Sequence, residues 1–279
     1  MELIYCFIDD TDFELDNFRA HAAWAFEPAR MVYAKSVDQA QELLQKRRPL
    51  CFLLDLYGTD PACAQPAPPP REELAAALPA ALDLEELYRG AAPGDSEAGN
   101  RFLRRLYGQV QGWQAAFLLA CRSLGQGSGY GLANLREVRR RWPWAAALSY
   151  SRKALYGEGA AFTLAGGDGV LQKPQGGDEQ AIAQATRRQA PELARTCQRA
   201  VRRRLSQVAG PVFASLMRRL GHDSAQALVA ALALLGGQEA SFSRKECAML
   251  LYEIAPWAGE QAGLVEAVSL WLEQGPALA

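Results

Sequence analysis

The chain is poor in the residues from which transition-metal and redox sites are built. It has two histidines, His21 and His222, far apart in sequence. Its six cysteines, Cys6, Cys51, Cys63, Cys121, Cys197 and Cys247, include no Cys-x-x-Cys pair. Zinc sites and dithiol redox motifs need ligands at short spacing, so neither function is expected. Unpaired thiols of this kind suit a reducing compartment, and the expected localisation is cytoplasmic. No apolar run reaches the roughly 20 residues of a membrane span. Strand-like sequence starts directly after Glu2, so no signal peptide is expected. The formal net charge is −1 at pH 7, which argues against bulk electrostatic attachment to nucleic acid or an anionic membrane.

What the chain does have is short apolar runs that stop at polar residues. Leu3-Ile4-Tyr5-Cys6-Phe7-Ile8 stops at Asp9-Asp10, and Leu50-Cys51-Phe52-Leu53-Leu54 stops at Asp55. Ala145 to Tyr150 stops at Ser151, and Gly169-Val170-Leu171-Gln172 stops at Lys173. Such runs read as buried parallel strands with polar C-terminal ends. Open α/β sheets form their sites at those ends. The set Asp9, Asp10, Asp55, Ser151 and Lys173 therefore converges on one acidic pocket with one lysine and one hydroxyl. Clustered carboxylates repel one another and favour a divalent cation. A cation in turn lets a carboxylate act as nucleophile toward a phosphoryl group.

The order of elements agrees. Residues 3–10, 29–35 and 50–57 read as strands, with helices over 14–26 and 37–47, the second capped by Ser36. This is a βαβαβ unit at short loop lengths. A Pro-rich loop over 58–70 interrupts it, followed by short helical segments near 71–78 and 83–89 and a loop at 91–96. A long amphipathic helix over 97–124 carries an apolar stripe that includes Leu103, Leu106, Tyr107, Val110 and Trp113. Its 3.6-residue period predicts a buried face. The α/β pattern resumes with helix 131–141, strand 144–151, helix 153–165 and strand 170–173. Beyond Pro174 the chain reads as helices over 178–189, 192–208, 211–220, 223–235, 243–255 and 260–273, divided at Pro191, Gly210-Pro211, Gly221 and Gly236-Gly237. Arginines at 187, 188, 195, 199, 202, 203, 204, 218 and 219 read as a solvated helical face in preference to a nucleic-acid surface.

Several passages resemble the receiver domain of two-component response regulators. Phe-Ile-Asp-Asp-Thr-Asp over 7–12 resembles the acidic pair after that family's first strand. Pro-Leu-Cys-Phe-Leu-Leu-Asp-Leu over 49–56 resembles its third strand with the phospho-acceptor aspartate. Ala-Gly-Gly-Asp-Gly-Val-Leu-Gln-Lys-Pro over 165–174 is similar to its fifth-strand signature, and Gly131 to Pro143 looks like its third helix. The resemblance covers residues 1–57 and 130–174. It implies a flavodoxin-like α/β fold, a five-stranded parallel sheet of order 2-1-3-4-5. The interval from Asp55 to Ser151 is longer than in the family, and the excess coincides with residues of about 60–128. The implied organisation is a receiver-like domain of residues 1–58 and 129–177, a helical insertion over 59–128 and a helical C-terminal domain over 178–279.

The resemblance also implies roles. Asp10 would ligate Mg²⁺, Asp9 would assist through water, Asp55 would be both ligand and phosphoryl acceptor, and the Tyr57 backbone carbonyl would complete the set. Lys173 would pair with phosphoryl oxygens and Ser151 would hydrogen-bond the phosphorylated state. Ser149 competes for that hydroxyl role, although the interval to Lys173 favours Ser151. Arg152 stands where the family has a small residue, and Val170 where it has an aromatic one. The implied partners are a histidine kinase or phosphotransfer protein, with a further protein docking on the insertion or the C-terminal helices, and self-association as a homodimer. Two alternatives accompany this reading. One is a pseudo-receiver that keeps the fold as an interaction module without phosphorylation. The other is a phosphatase similar to the haloacid dehalogenases, with Asp10 as nucleophile and Asp12 as acid/base.

Overall fold

The structure, a computed structural model, describes residues 2–59, 67–80, 83, 85–86, 89, 92, 94–153 and 156–276. Much of the Pro-rich loop, residues 84, 87 and 88 of the expected helix over 83–89, and Cys63 fall outside these residues. The chain divides into two compact units, Met1–Gly58 with Ser128–Ala279, and Thr59–Gly127.

The larger unit is built on five parallel strands: β1 (Ile4–Ile8), β2 (Arg30–Ala34), β3 (Cys51–Leu54), β6 (Ala146–Ser151) and β7 (Gly169–Gln172), in the order β2-β1-β3-β6-β7. Numbering only these strands, the order is 2-1-3-4-5, as expected. Every residue of β1, β3 and β6 is buried, which is why they read as continuous apolar runs. Pairing sets Phe7 beside Leu53 and Leu53 beside Leu148.

Helices cover both faces. On one lie α1 (Asp12–His21) and the start of a long helix, α7 (Glu179–Met217). Phe7 on β1 meets Phe18 of α1 at 4.8 Å between ring centroids. On the other lie α2 (Val37–Leu44), α5 (Gly129–Arg141) and α6 (Tyr156–Leu164). Phe52 stacks on Trp142 at 5.1 Å, a contact worth about 1 kcal/mol beyond area burial. Ser36 caps α2 by accepting from Gln39 N at 3.2 Å.

Residues 179–276 belong to this same unit. The expected breaks at Pro191 and Gly210-Pro211 are absent: α7 runs unbroken for 39 residues. A proline inside a helix costs about 3 kcal/mol. Burial of Ala190, Leu193, Ala194, Cys197, Val201, Leu205 and Phe213 outweighs it, at roughly 1.5–3 kcal/mol for each large apolar side chain. Pro211 itself is exposed. The helices α8 (His222–Gly236), α9 (Arg244–Ile254) and α10 (Ala262–Gln274) follow. A capping box at Ser243 and Glu246 opens α9. The free cysteines Cys6, Cys51, Cys121, Cys197 and Cys247 are all buried.

The smaller unit holds α3 (Arg71–Ala77) and the 28-residue α4 (Ser96–Ser123). Asp95 caps α4 through the amides of Glu97 and Ala98. At its chain ends, β4 (Gly58–Thr59) pairs with β5 (Gln126–Gly127). The apolar stripe of α4 departs from expectation. Leu103, Tyr107, Val110 and Trp113 are each more than half exposed, and burial falls on Ala98, Ala116 and Cys121. Periodicity reports that one face is apolar; burial requires a second layer, and α3 is only seven residues long. Among the described residues no helix is long and apolar enough to cross a membrane.

Candidate functional site

The C-terminal ends of β1, β3, β6 and β7 meet at a cluster of buried charge. The ladder continues one residue beyond the strands: Asp9 N donates to Ala34 O at 3.1 Å, and Asp55 N to Ile8 O at 2.8 Å. Strand alternation then points Asp9 and Asp55 to one face, two residues beyond the paired Phe7 and Leu53. One oxygen each from Asp9, Asp10 and Asp55 lies within 4.8 Å of the others. At an effective dielectric constant of about 20, each such pair of charges repels by on the order of 3 kcal/mol.

Lys173 offsets part of this. It is 4 % exposed, and its Nζ donates to Asp9 Oδ2 and, at 3.2 Å, to Asp55 Oδ1. Its backbone is held by donation from its N to Ser151 O at 3.1 Å. The second Asp9 oxygen, Oδ1, accepts from Thr11 N at 3.0 Å and Thr11 Oγ1 at 2.7 Å, which fixes the carboxylate plane. Burial pushes the Asp55 carboxyl up to about 6; Asp9 adds to the rise, while Lys173 and a hydrogen bond from Ser151 oppose it. Burial pulls the Lys173 ammonium down, but Asp55, Asp9 and Glu14 together outweigh it and leave its pKa above the usual value.

Of the two candidate hydroxyls, Ser151 is the one close enough to Asp55 to favour its charged form, and its Oγ accepts from Lys153 N at 3.3 Å. Ser149 pairs in register with Leu54, deeper in the sheet, and its Oγ is buried without a partner. Tyr57 turns its hydroxyl to Glu158 Oε1 of α6, at 2.9 Å. Its carbonyl follows that of Leu56, which accepts from Gly131 N at 3.1 Å. Val170 is 41 % exposed. Asp12 is not brought to the cluster: its side chain is 76 % exposed and pairs with Lys35.

Four further residues lie beside the site, and of these the sequence singles out only Arg152. Glu14, on the first turn of α1, lies 3.8 Å from Lys173 Nζ and also binds Arg152. Arg152 Nε donates to Pro174 O at 2.8 Å, tying the end of β6 to the residue after Lys173. Tyr130 and Gly131, at the start of α5, pack on the backbone after Asp55. A Cβ on Gly131 would fall 2.6 Å from Asp55 O and from Leu56 Cα, so only glycine fits there. The glycine flanking Tyr130 on each side was the available signal, and it reads equally well as a plain loop.

The donor set suits a hard divalent cation. It offers three carboxylates, no sulfur and no imidazole, and one lysine leaves the trio with net negative charge.

Comparison with known proteins gives distant structural likenesses, among them two response regulator proteins. One is a response regulator protein from Burkholderia pseudomallei, solved with a phosphorylated aspartic acid, calcium ion and citrate. It is 14 % identical, with a TM-score of 0.32, covering 70 % of this chain and 72 % of that one. The other is a CheY-like response regulator receiver domain protein from Methanospirillum hungatei JF-1. It is 10 % identical, with a TM-score of 0.32, covering 70 % of this chain and 99 % of that one. No protein-family model and no curated protein sequence matches the chain. The receiver-like strand order and the acidic end of the sheet therefore stand on their own geometry.

Proposed function

We propose that the larger unit is a phosphoryl-accepting signalling domain in which Asp55 is the acceptor. The observation that carries this reading is the reach of one buried lysine on β7 to carboxylates on both β1 and β3. A structural ion pair needs one acid for one base. A lone lysine among three acids leaves capacity for a cation and an anionic ligand.

Asp9, Asp10 and Asp55, with the Tyr57 carbonyl, would hold Mg²⁺. Bound there, Mg²⁺ would supply charge neutralisation for an incoming phosphoryl group. An Asp55 carboxylate oxygen attacks phosphorus, and the bond from phosphorus to the donor's nitrogen or oxygen breaks. The departing group leaves with the bonding pair and takes a proton, and an acyl phosphate remains on Asp55. Lys173 pairs with phosphoryl oxygens, and the Ser151 hydroxyl donates to them. Water reverses the state by forming an O–P bond as the Asp55 O–P bond breaks, giving inorganic phosphate. A histidine kinase or phosphotransfer protein would be the physiological donor. Output would pass through protein contacts of the inserted unit or of α8–α10.

The test is labelling by acetyl phosphate with Mg²⁺. The 279-residue chain gains one phosphoryl group, and Asp55→Asn gains none; equal labelling of the variant would sink the proposal. A second reading, an interaction module without phosphorylation, draws on the half-exposed Val170 in place of a switch aromatic. A folded chain that binds neither Mg²⁺ nor beryllofluoride would select it. The phosphatase alternative draws no support from Asp12, which pairs with Lys35 at the surface.

A further inference from the structure

Tyr130 is anchored at both ends across the sheet. Its backbone sits at the end of β3, because the next residue, Gly131, lies on the Asp55–Leu56 peptide. Its hydroxyl donates to Lys35 O at 2.7 Å, at the end of β2. Since β1 lies between β3 and β2, the side chain crosses the end of β1, where Asp9 and Asp10 stand. The ring also rests on Gly58, where a Cβ would fall 2.5 Å from a ring carbon. Burial, with Asp9 and Asp10 beside it, raises the pKa of the hydroxyl, so the phenol stays neutral and keeps donating. Ser128, two residues earlier, is where the chain re-enters the larger unit.

From this placement we infer that Tyr130 is the gate of the acidic pocket, setting the rate at which a cation, a phosphodonor and attacking water reach Asp9, Asp10 and Asp55. The phosphoryl part of this inference rests on the function proposed above; the cation part does not. The tether is a single hydrogen bond to a backbone carbonyl, worth about 1 kcal/mol net, so the ring can swing aside and return. Its closed position shields the Asp55 acyl phosphate from the water whose attack would release inorganic phosphate.

The test uses the full chain with Tyr130→Ala and Tyr130→Phe. Three rates are read: labelling by acetyl phosphate, loss of label after donor removal, and association of Mn²⁺ by stopped flow. Tyr130→Ala is expected to raise each about tenfold, equivalent to about 1.4 kcal/mol of barrier. Tyr130→Phe keeps the ring and loses the tether, and a rise of about two- to threefold is expected, well below the alanine effect. Phe213→Leu, in the core of α7, lowers stability and leaves the three rates unchanged, which separates gating from general loosening. Equal rates in all variants overturn the gate. If the parent chain takes no label, the phosphoryl proposal fails and Mn²⁺ association decides alone. Faster entry in Tyr130→Ala then upholds the gate and equal entry overturns it. Should the alanine variant not fold, Tyr130→Leu replaces it under the same criteria.

Discussion

The two ends of the five-stranded sheet handle charge in opposite ways. At the C-terminal end, Asp9, Asp55 and Lys173 are almost fully buried, with acids in excess. At the opposite end, Arg48 and Glu266 pair one to one at 2.7 Å, each about one-third exposed. There, Trp144 donates to Pro49 O at 3.2 Å, and Arg48 lies over its ring. The second arrangement is balanced and wet, which is how a fold ties α10 to a sheet. The first is unbalanced and dry, and desolvation there costs stability unless a ligand restores balance. A fold that needed only to be held together would have no use for it.

The comparison can be broken most severely at Lys173. Lys173→Met leaves Asp9 and Asp55 buried without a cation, and a loss of about 3–5 kcal/mol is expected in denaturant unfolding. A loss below 1 kcal/mol would mean that the two ends are alike. The pH dependence comes next. An Asp55 carboxyl raised to about 6 holds a proton in the folded chain that the unfolded chain releases near 4. Without metal, stability is therefore highest at the acidic side of this window and falls as pH rises from about 4 through 6. Asp55→Asn removes that fall; an unchanged profile in urea melts would contradict the assignment. Divalent cation supplies the third lever. Mg²⁺ at about 100 times its dissociation constant is expected to stabilise the chain by about 2.7 kcal/mol. The effect disappears in a variant carrying both Asp10→Asn and Asp55→Asn, and its persistence there would place the cation elsewhere. The smallest effect belongs to the balanced end. Glu266→Gln is expected to cost under about 1 kcal/mol, as partly exposed pairs do. A loss as large as that of Lys173→Met would erase the distinction.

The acidic end was readable because Asp9 and Asp55 follow buried strands, and buried parallel strands announce themselves as unbroken apolar runs. Asp9 and Asp55 follow from that pattern alone, whereas Lys173 follows β7, a half-exposed edge strand with a weaker apolar run. The rest depends on tertiary contacts that leave no local mark. Pro191 and Pro211 read as helix ends, yet α7 continues because its buried face outweighs two prolines. The stripe on α4 is periodic, but period does not say whether a second layer exists. Glu14 looks like an ordinary first-turn acid, and its place 3.8 Å from Lys173 follows from how α1 packs. Gly131 is required by the closeness of the Asp55–Leu56 peptide, which the long stretch of chain between Leu56 and Gly131 conceals in the sequence. Ser151 and Ser149 differ by one pleat repeat; the interval to Lys173 favours Ser151, and the register sets Ser149 beside Leu54, deeper in the sheet.

The central claim is that the unbalanced charge exists to receive a phosphoryl group at Asp55. The most direct measurement is treatment with acetyl phosphate and Mg²⁺, borohydride reduction of any acyl phosphate to an alcohol, and peptide mapping by mass. Modification at residue 55, lost when Mg²⁺ is chelated, is the predicted result. A folded chain with no modification, or one modified only at another carboxylate, would contradict it.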